Sequence, residues 1–229
     1  IVPSAVIFDL TVGDPKIWPT AQLGRAACEA ATESGVPSGN WGAGAGATVG
    51  KLLGPDQAMR GGFGQCELRL GELRVLAWVV VNAVGDVWHP HQATCLAGAR
   101  KHQDSLELAD MWHRLSGDAR DHHAWLGGNT TLGVVATNQR LSKLQAQRMA
   151  MAAHNGLAQS IRPVHTPYDG DTVFAFSTGT LAGEPDALRL GAMAAQALSL
   201  AVVDAVQSAK GLRLGQRWWP AAQDLNTMG

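Results

Sequence analysis

The apolar positions of the chain follow two periods. Residues 2–10 carry Val2, Val6, Ile7, Phe8 and Leu10 in a β-branched, apolar stretch that predicts a buried strand. Thr20, directly after Pro19, is placed to cap a helix whose apolar residues include Leu23, Ala27 and Ala30 and which stops at Gly35. Residues 73–84 are almost continuously apolar, the pattern of a central strand covered on both faces, with Asn82 at its polar end. Residues 132–137 and 172–177 read as two further strands. Between them, Ser142 and Gln145 have capping-box spacing and open a helix that must end before Pro163, with Ala150, Ala153, Leu157 and Ile161 as its buried stripe. Residues 187–210 form a long Ala-rich helix closed by Gly211. Strands and helices are mixed without an internal repeat, so the expected class is α+β.

Two stretches fall outside these periods. Residues 39–51 are dominated by Gly and Ala, which allow close backbone approach, and they read as a packing or site loop. That loop lacks the Gly-Lys-Ser/Thr ending of a phosphate cradle, so no nucleotide cofactor is implied. Residues 88–128 hold six of the eight histidines and alternating charges, and only residues 105–115 look helical; a mobile, exposed connection is expected. The chain opens on a strand-like stretch without Met, which predicts that further residues precede it.

Composition narrows the function classes. With 46% apolar and 16% charged residues, 229 residues can bury a sizeable core as one large domain or two small ones. Eighteen basic against nineteen acidic side chains, with no block of like charge, remove the footprint of a nucleic-acid binder. The longest apolar run, residues 75–81, falls far short of the ~20 residues needed to cross a bilayer, and the start lacks a basic region leading into an apolar one. A cytoplasmic protein without membrane or nucleic-acid partners is the expectation. Cys28, Cys66 and Cys95 are an odd number without metal-ligand spacing and read as inert, buried thiols. His89, His91, His102, His113, His122 and His123 are irregularly spaced and include no His-Glu-x-x-His helix, so no metal site is expected. His154 and His165 read as a helix residue and a turn residue rather than as catalytic bases.

Chemistry gathers around residue 130. Gly127-Gly128-Asn129-Thr130-Thr131 joins the connection to a strand, which is where a self-cleaving peptide would sit. Attack of the Thr130 hydroxyl on the Asn129 carbonyl, an N-to-O acyl shift and hydrolysis would leave Thr130 with a free α-amine able to act as base for its own hydroxyl. By itself the Asn-Thr-Thr triplet is a weak signal and reads first as a capped turn. Downstream, Asp169 and Asp171 stand two residues apart before a strand, and extended backbone would aim both at one face. The alternative is an Asp-Gly turn with solvated carboxylates.

Longer stretches decide between these readings. Asn129-Thr130-Thr131-Leu132-Gly133-Val134-Val135-Ala136-Thr137-Asn138, then Ala153-His154-Asn155-Gly156-Leu157-Ala158, then residues 162–175 with Pro167-Tyr168-Asp169-Gly170-Asp171-Thr172, resemble the L-aminopeptidase/D-esterase (DmpA-like) family. That family includes β-aminopeptidases and nylon oligomer (6-aminohexanoate oligomer) hydrolases. Residues 1–10, 42–51 and 81–85 are similar to it as well, in the same order. The resemblance covers nearly the whole chain except residues 88–128. It implies a four-layer αββα sandwich of the N-terminal-nucleophile type, made as a single precursor that cuts itself before Ser or Thr into two pieces that stay together. Here the pieces would be residues 1–129 and 130–229.

Residue by residue, Thr130 matches the nucleophile and Asn129 the residue before the cut. Asp169 and Asp171 match the acidic pair of the threonine-type nylon oligomer hydrolases, and Lys51 and Asn82 the polar residues near the nucleophile. Asn82 would then donate to a developing oxyanion, and Lys51 would add positive charge. The implied function is a self-processing aminopeptidase or amidase that needs no cofactor and acts on peptides, amino acid amides or esters, or linear amide oligomers. A homo-oligomer, by resemblance a tetramer of processed protomers, is the implied assembly. The sequence departs from the family at two places. Phe8 stands where some members carry a tyrosine near the active site, and the N-terminal third of the family pattern, with its Gly-Gly-Ser-rich segment, is absent. Two rival functions follow: an acyltransferase of the ornithine acetyltransferase type, which shares the fold, and a truncated, inactive scaffold.

Overall fold

A computed structural model describes residues 3–117 and 128–225. Its strands, in chain order, are β1 (Thr48–Val49), β2 (Met59–Arg60), β3 (Gly62–Leu70), β4 (Leu73–Asn82), β5 (Asp86–Trp88), β6 (Cys95–Ala97), β7 (Thr130–Gln139), β8 (Ile161–Arg162), β9 (Thr172–Leu181), β10 (Leu212–Leu214) and β11 (Arg217–Trp219). The helices are α1 (Ala21–Glu29), α2 (Met111–Ser116), α3 (Lys143–Ser160), α4 (Ala187–Ser208) and α5 (Ala222–Leu225).

The main sheet runs β3-β4-β7-β9, with β3-β4 and β4-β7 antiparallel and β7-β9 parallel. Along β4, Val75, Ala77, Val79 and Val81 point into the core, where they meet Ala197, Leu198, Ala201 and Val202 of α4. The intervening Arg74, Leu76 and Trp78 are less buried, so the near-continuous apolar run is covered on both faces only at its end, from Val79 onward. α4 is long and apolar enough by composition to cross a membrane, yet most of it is buried inside this core. It packs over β3 and β4, while α3 packs beside it over β9.

The capping box expected at Ser142 and Gln145 is formed, and it fixes the start of α3. The buried residues of α3 are Met149, Ala153, Gly156, Leu157 and Ser160, followed by Ile161 in β8; Ala150 lies only half inside. Thr20 caps α1 through its side chain, but α1 buries none of its residues.

Three expectations are corrected. Residues 3–10 form no strand, and Val6 is 82% exposed. Their β-branched pattern finds no ladder among the described residues, and an unpaired strand has nothing to satisfy its backbone. Residues 88–117 are only in part the exposed connection expected: residues 91–94, 101–104 and 112–117 lie at the surface, but the stretch between them is anchored in the fold. Ala97, Ala99, Arg100 and Met111 are buried, and β6 pairs with β5. Arg100 ties this stretch down by donating to the carbonyls of Asp56, Gln57, Ala58, Gln103, Ser105 and Trp218. Asp86 accepts from the N–H of Ala99 at 2.8 Å and of Met111 at 3.1 Å. The helix expected over residues 105–115 begins only at Met111, capped by Asp110. The third correction is Cys28, which is exposed on α1; Cys66 and Cys95 are half-buried.

Candidate active site

Thr130 is the first residue of β7, at the edge where three strands end together. The antiparallel ladder sets Asn82 directly opposite Thr130. On the other side the parallel β7-β9 ladder is extended by a bridge between Asn129 and Asp169, so that Gly170 lies beside Thr130 and Asp171 beside Thr131. A Cβ added at Gly170 would come 2.9 Å from Thr130 Oγ1, which makes glycine the residue that leaves room for the hydroxyl. Lys51 reaches the same edge because its backbone N–H donates to Val84 O at 2.9 Å, directly after β4.

The Asn129–Thr130 peptide is gripped from both sides. Thr130 Oγ1 donates to Asn129 O at 2.6 Å, and Gly170 N–H donates to the same oxygen at 2.9 Å. One residue earlier, Gly128 O accepts from Lys51 Nζ at 2.8 Å and from Asn82 Nδ2 at 3.1 Å. One residue later, Thr131 N–H donates to Asp171 Oδ1 at 2.7 Å. Lys51, Asn82 and Asp171 therefore hold the peptide units on either side of the Asn129–Thr130 peptide, whereas the Asp169 side chain bonds none of them and stands beside Asn129 through the strand bridge. Their roles differ from the expected ones in two respects. The donor on the Asn129 carbonyl is the Gly170 backbone, while Asn82 holds the Gly128 carbonyl. The two carboxylates also serve different targets. Asp169 accepts from Val84 N–H at 3.3 Å and from the Thr166 N–H and hydroxyl at 3.0 and 2.7 Å, whereas Asp171 holds Thr131 and His165. Neither is a solvated turn carboxylate: the Asp171 side chain is 4% exposed.

Burial sets the electrostatics. Lys51 is 7% exposed and has its pKa pushed down to about 7, because burial outweighs the opposing pull of Asp169 and Asp9. Its Nζ also donates to Asn82 O and Asn82 Oδ1, at 3.1 and 2.9 Å. The Asp169 carboxyl is raised by burial first, against the pull of its Thr166 bonds. A cleft with about 20 Å³ of free volume adjoins the site, lined by Phe8, Thr11, Lys51, Pro55, Gly128 and Asn129. That is room for about one water molecule. A larger surface cleft of about 280 Å³ at Asp56, Asp104, Arg217 and Trp218 is lined by none of the residues around Thr130.

Sequence reasoning missed Gly170 as a donor; the only signal was its place between Asp169 and Asp171. It also set His165 aside, although its ring Nδ1 lies 2.8 Å from Asp171 Oδ2. His154 packs against the His165 ring, while His89 and His91 pack ring to ring away from it, His102 pairs with Asp104 and His113 with Asp110. His122 and His123 lie outside the described residues.

The sequence pattern of peptidase family S58 matches residues 1–216. The chain belongs to peptidase family S58. Curated relatives agree with that family. An uncharacterised aminopeptidase of Mycobacterium leprae is 41% identical over 93% of this chain and 62% of its own length. A 6-aminohexanoate-oligomer endohydrolase of Agromyces is 33% identical over 90% of this chain and 61% of its own. The S58 chain thus spans about three fifths of the length of these relatives. Among solved structures, a Burkholderia β-aminopeptidase superimposes with a TM-score of 0.60 at 21% identity, over 91% of this chain and 57% of that one. The L-aminopeptidase D-Ala-esterase/amidase of Ochrobactrum anthropi, described as a variant of the Ntn-hydrolase fold, gives 0.58 at 18% identity, over 86% and 53%. The S58 chain shares that α+β fold.

Proposed function

We propose that this S58 chain belongs to a self-processing amide hydrolase that cuts itself between Asn129 and Thr130 and then uses Thr130 as its N-terminal nucleophile. The observation that carries the reading is the Asn129 carbonyl, bonded at 2.6 Å by the Thr130 hydroxyl and at 2.9 Å by Gly170 N–H. In the first step Thr130 Oγ1 attacks the Asn129 carbonyl carbon while Gly170 N–H holds the developing oxyanion. The C–N bond to Thr130 breaks, the hydroxyl proton passes to the released nitrogen, and an ester joins Asn129 to Thr130. Water hydrolyses that ester, giving an Asn129 carboxylate and a free Thr130 α-amine.

Once the end carrying Gly128 and Asn129 moves away, Lys51 Nζ, Asn82 Nδ2 and Gly170 N–H lose the carbonyls they now hold. They are then available to the carbonyl of an incoming amide, and the one-water cleft beside them opens. The Thr130 amine takes the hydroxyl proton as the oxygen attacks the substrate carbonyl; the substrate C–N bond breaks, that proton passes to the departing amine, and water hydrolyses the acyl ester left on Thr130 to a free carboxylate. The substrate class is an amide or ester of an amino acid: a short peptide with a free N-terminus, a β-amino acid peptide or a linear amide oligomer. The relatives' names, aminopeptidase and 6-aminohexanoate-oligomer endohydrolase, support it. We place the enzyme in the cytoplasm as an oligomer of cut protomers.

The test is release of aniline from a panel of aminoacyl anilides by the cut protein. Acetylating the Thr130 amine is expected to abolish release, and a chelator to leave it unchanged. Release that survives acetylation but stops with the chelator would overturn the proposal.

A further inference from the structure

Asp171 is held at both oxygens. Oδ1 accepts from Thr131 N–H, the peptide that follows the nucleophile, at 2.7 Å. Oδ2 faces His165, whose ring Nδ1 lies at 2.8 Å and whose backbone N–H lies at 3.4 Å. His165 Nε2 is in turn 3.4 Å from His154 Nδ1 on α3, with the ring centroids 5.0 Å apart. One arrangement of protons satisfies the whole row: His154 Nδ1–H to His165 Nε2, His165 Nδ1–H to Asp171 Oδ2, and Thr131 N–H to Asp171 Oδ1. It leaves both rings neutral. Burial, then the neighbouring His165, holds the pKa of His154 below the ordinary value against the opposing pull of Asp171, in keeping with that arrangement.

The backbone points the same way. His165 has φ of 52°, in the left-handed region that most residues other than Gly avoid and that Asn, Asp and His visit more often. This backbone sets the ring where Nδ1 reaches a carboxylate with almost no solvent to replace the bond.

We infer that His165 is a positioning residue of the Thr130 centre: through Asp171 it fixes the Thr130–Thr131 peptide, and with it the direction of the Thr130 hydroxyl, while His154 sets the ring. The inference rests on the reading of Thr130 as nucleophile.

Two variants of the full chain separate the ring from the backbone. His165→Gly relieves the left-handed strain and removes the donor. His165→Asn tolerates the same φ and sets its amide nitrogen where Nδ1 now lies, the same number of bonds from the backbone. Self-cleavage is followed by mass spectrometry after synthesis, the cut protein is assayed for kcat and KM on an aminoacyl anilide, and Tm is recorded. His165→Gly is expected to slow the cut and lower kcat by about 10- to 100-fold, as loss of an orienting partner does. KM should stay within about twofold, and His165→Asn should recover most of the rate at a similar Tm. The inference is overturned if His165→Gly cuts and turns over at the parental rate, or if His165→Asn is as slow as His165→Gly. Parental behaviour of His165→Gly would leave the nucleophile in place. Cutting of a Thr130→Ala chain would remove the nucleophile itself.

Discussion

Lys51 is the most perturbed charge near the Asn129–Thr130 peptide. Its Nζ donates to three oxygens, Asn82 O, Asn82 Oδ1 and Gly128 O, which uses all three protons of an ammonium. Burial nevertheless pushes its pKa down to about 7, from the ordinary lysine value of 10.5. Between those two values the unfolded chain holds a proton that the folded one has released, so stability rises with pH across that window. Lys51→Met is expected to flatten this rise in a series of denaturant titrations from pH 7 to 10. A slope unchanged in Lys51→Met would mean that the lysine keeps an ordinary pKa in the fold. Above pH 7 the neutral amine has two protons for three acceptors, so its hold on Gly128 O weakens. Thr130, Asn129, Lys51, Asn82, Asp169 and Asp171 were legible in the sequence because chemistry requires particular residue types and the family resemblance supplied their positions. Gly170 and His165 were not. The first acts through a backbone N–H that every residue but proline possesses, and the second becomes meaningful only when Asp171 and α3 converge on it.

At the scale of elements, β3 shows why some structure escaped the pattern. Its core face carries Gly62, Gly64, Cys66 and Leu68, paired with Val81, Val79, Ala77 and Val75 of β4. The glycines bury no side chain and give no apolar signal, yet they let α4 lie against the sheet. A Cβ at Gly64 would fall 2.1 Å from Ala201 O and 2.4 Å from Ala205 N, both backbone atoms that cannot turn aside. Gly64→Ala is therefore expected to cost about 3 kcal/mol or more. That is a fall in melting temperature of roughly 6–12 °C. Gly24→Ala on α1, where nothing lies within 4 Å, should leave it unchanged. Equal melting curves for the two variants would show that α4 does not approach β3 as described. β4, β7, α3 and α4 were readable because their apolar periodicity matches a buried face or their caps are local. The first strand failed for the opposite reason: β propensity in residues 3–10 has no partner strand to pair with among the described residues.

For the whole molecule, the position of the proposed cut decides what becomes of the fold. Residues before Asn129 supply β3 and β4, and residues from Thr130 onward supply β7, β9, α3 and α4. The order β3-β4-β7-β9 places the boundary between the two pieces along the β4-β7 ladder, with α4 packed across β3 and β4. A cut before Thr130 thus breaks one peptide bond and leaves the ladder and the core intact, so the pieces should co-elute under native conditions and separate only in denaturant. The most direct test of the account is mass spectrometry of the purified protein beside its Thr130→Ala variant, each read under native and denaturing conditions. A single break between Asn129 and Thr130 is expected in the parent, with both pieces held in one native particle, and no break in Thr130→Ala. An uncut parent, or a Thr130→Ala chain cut at the same bond, would contradict it.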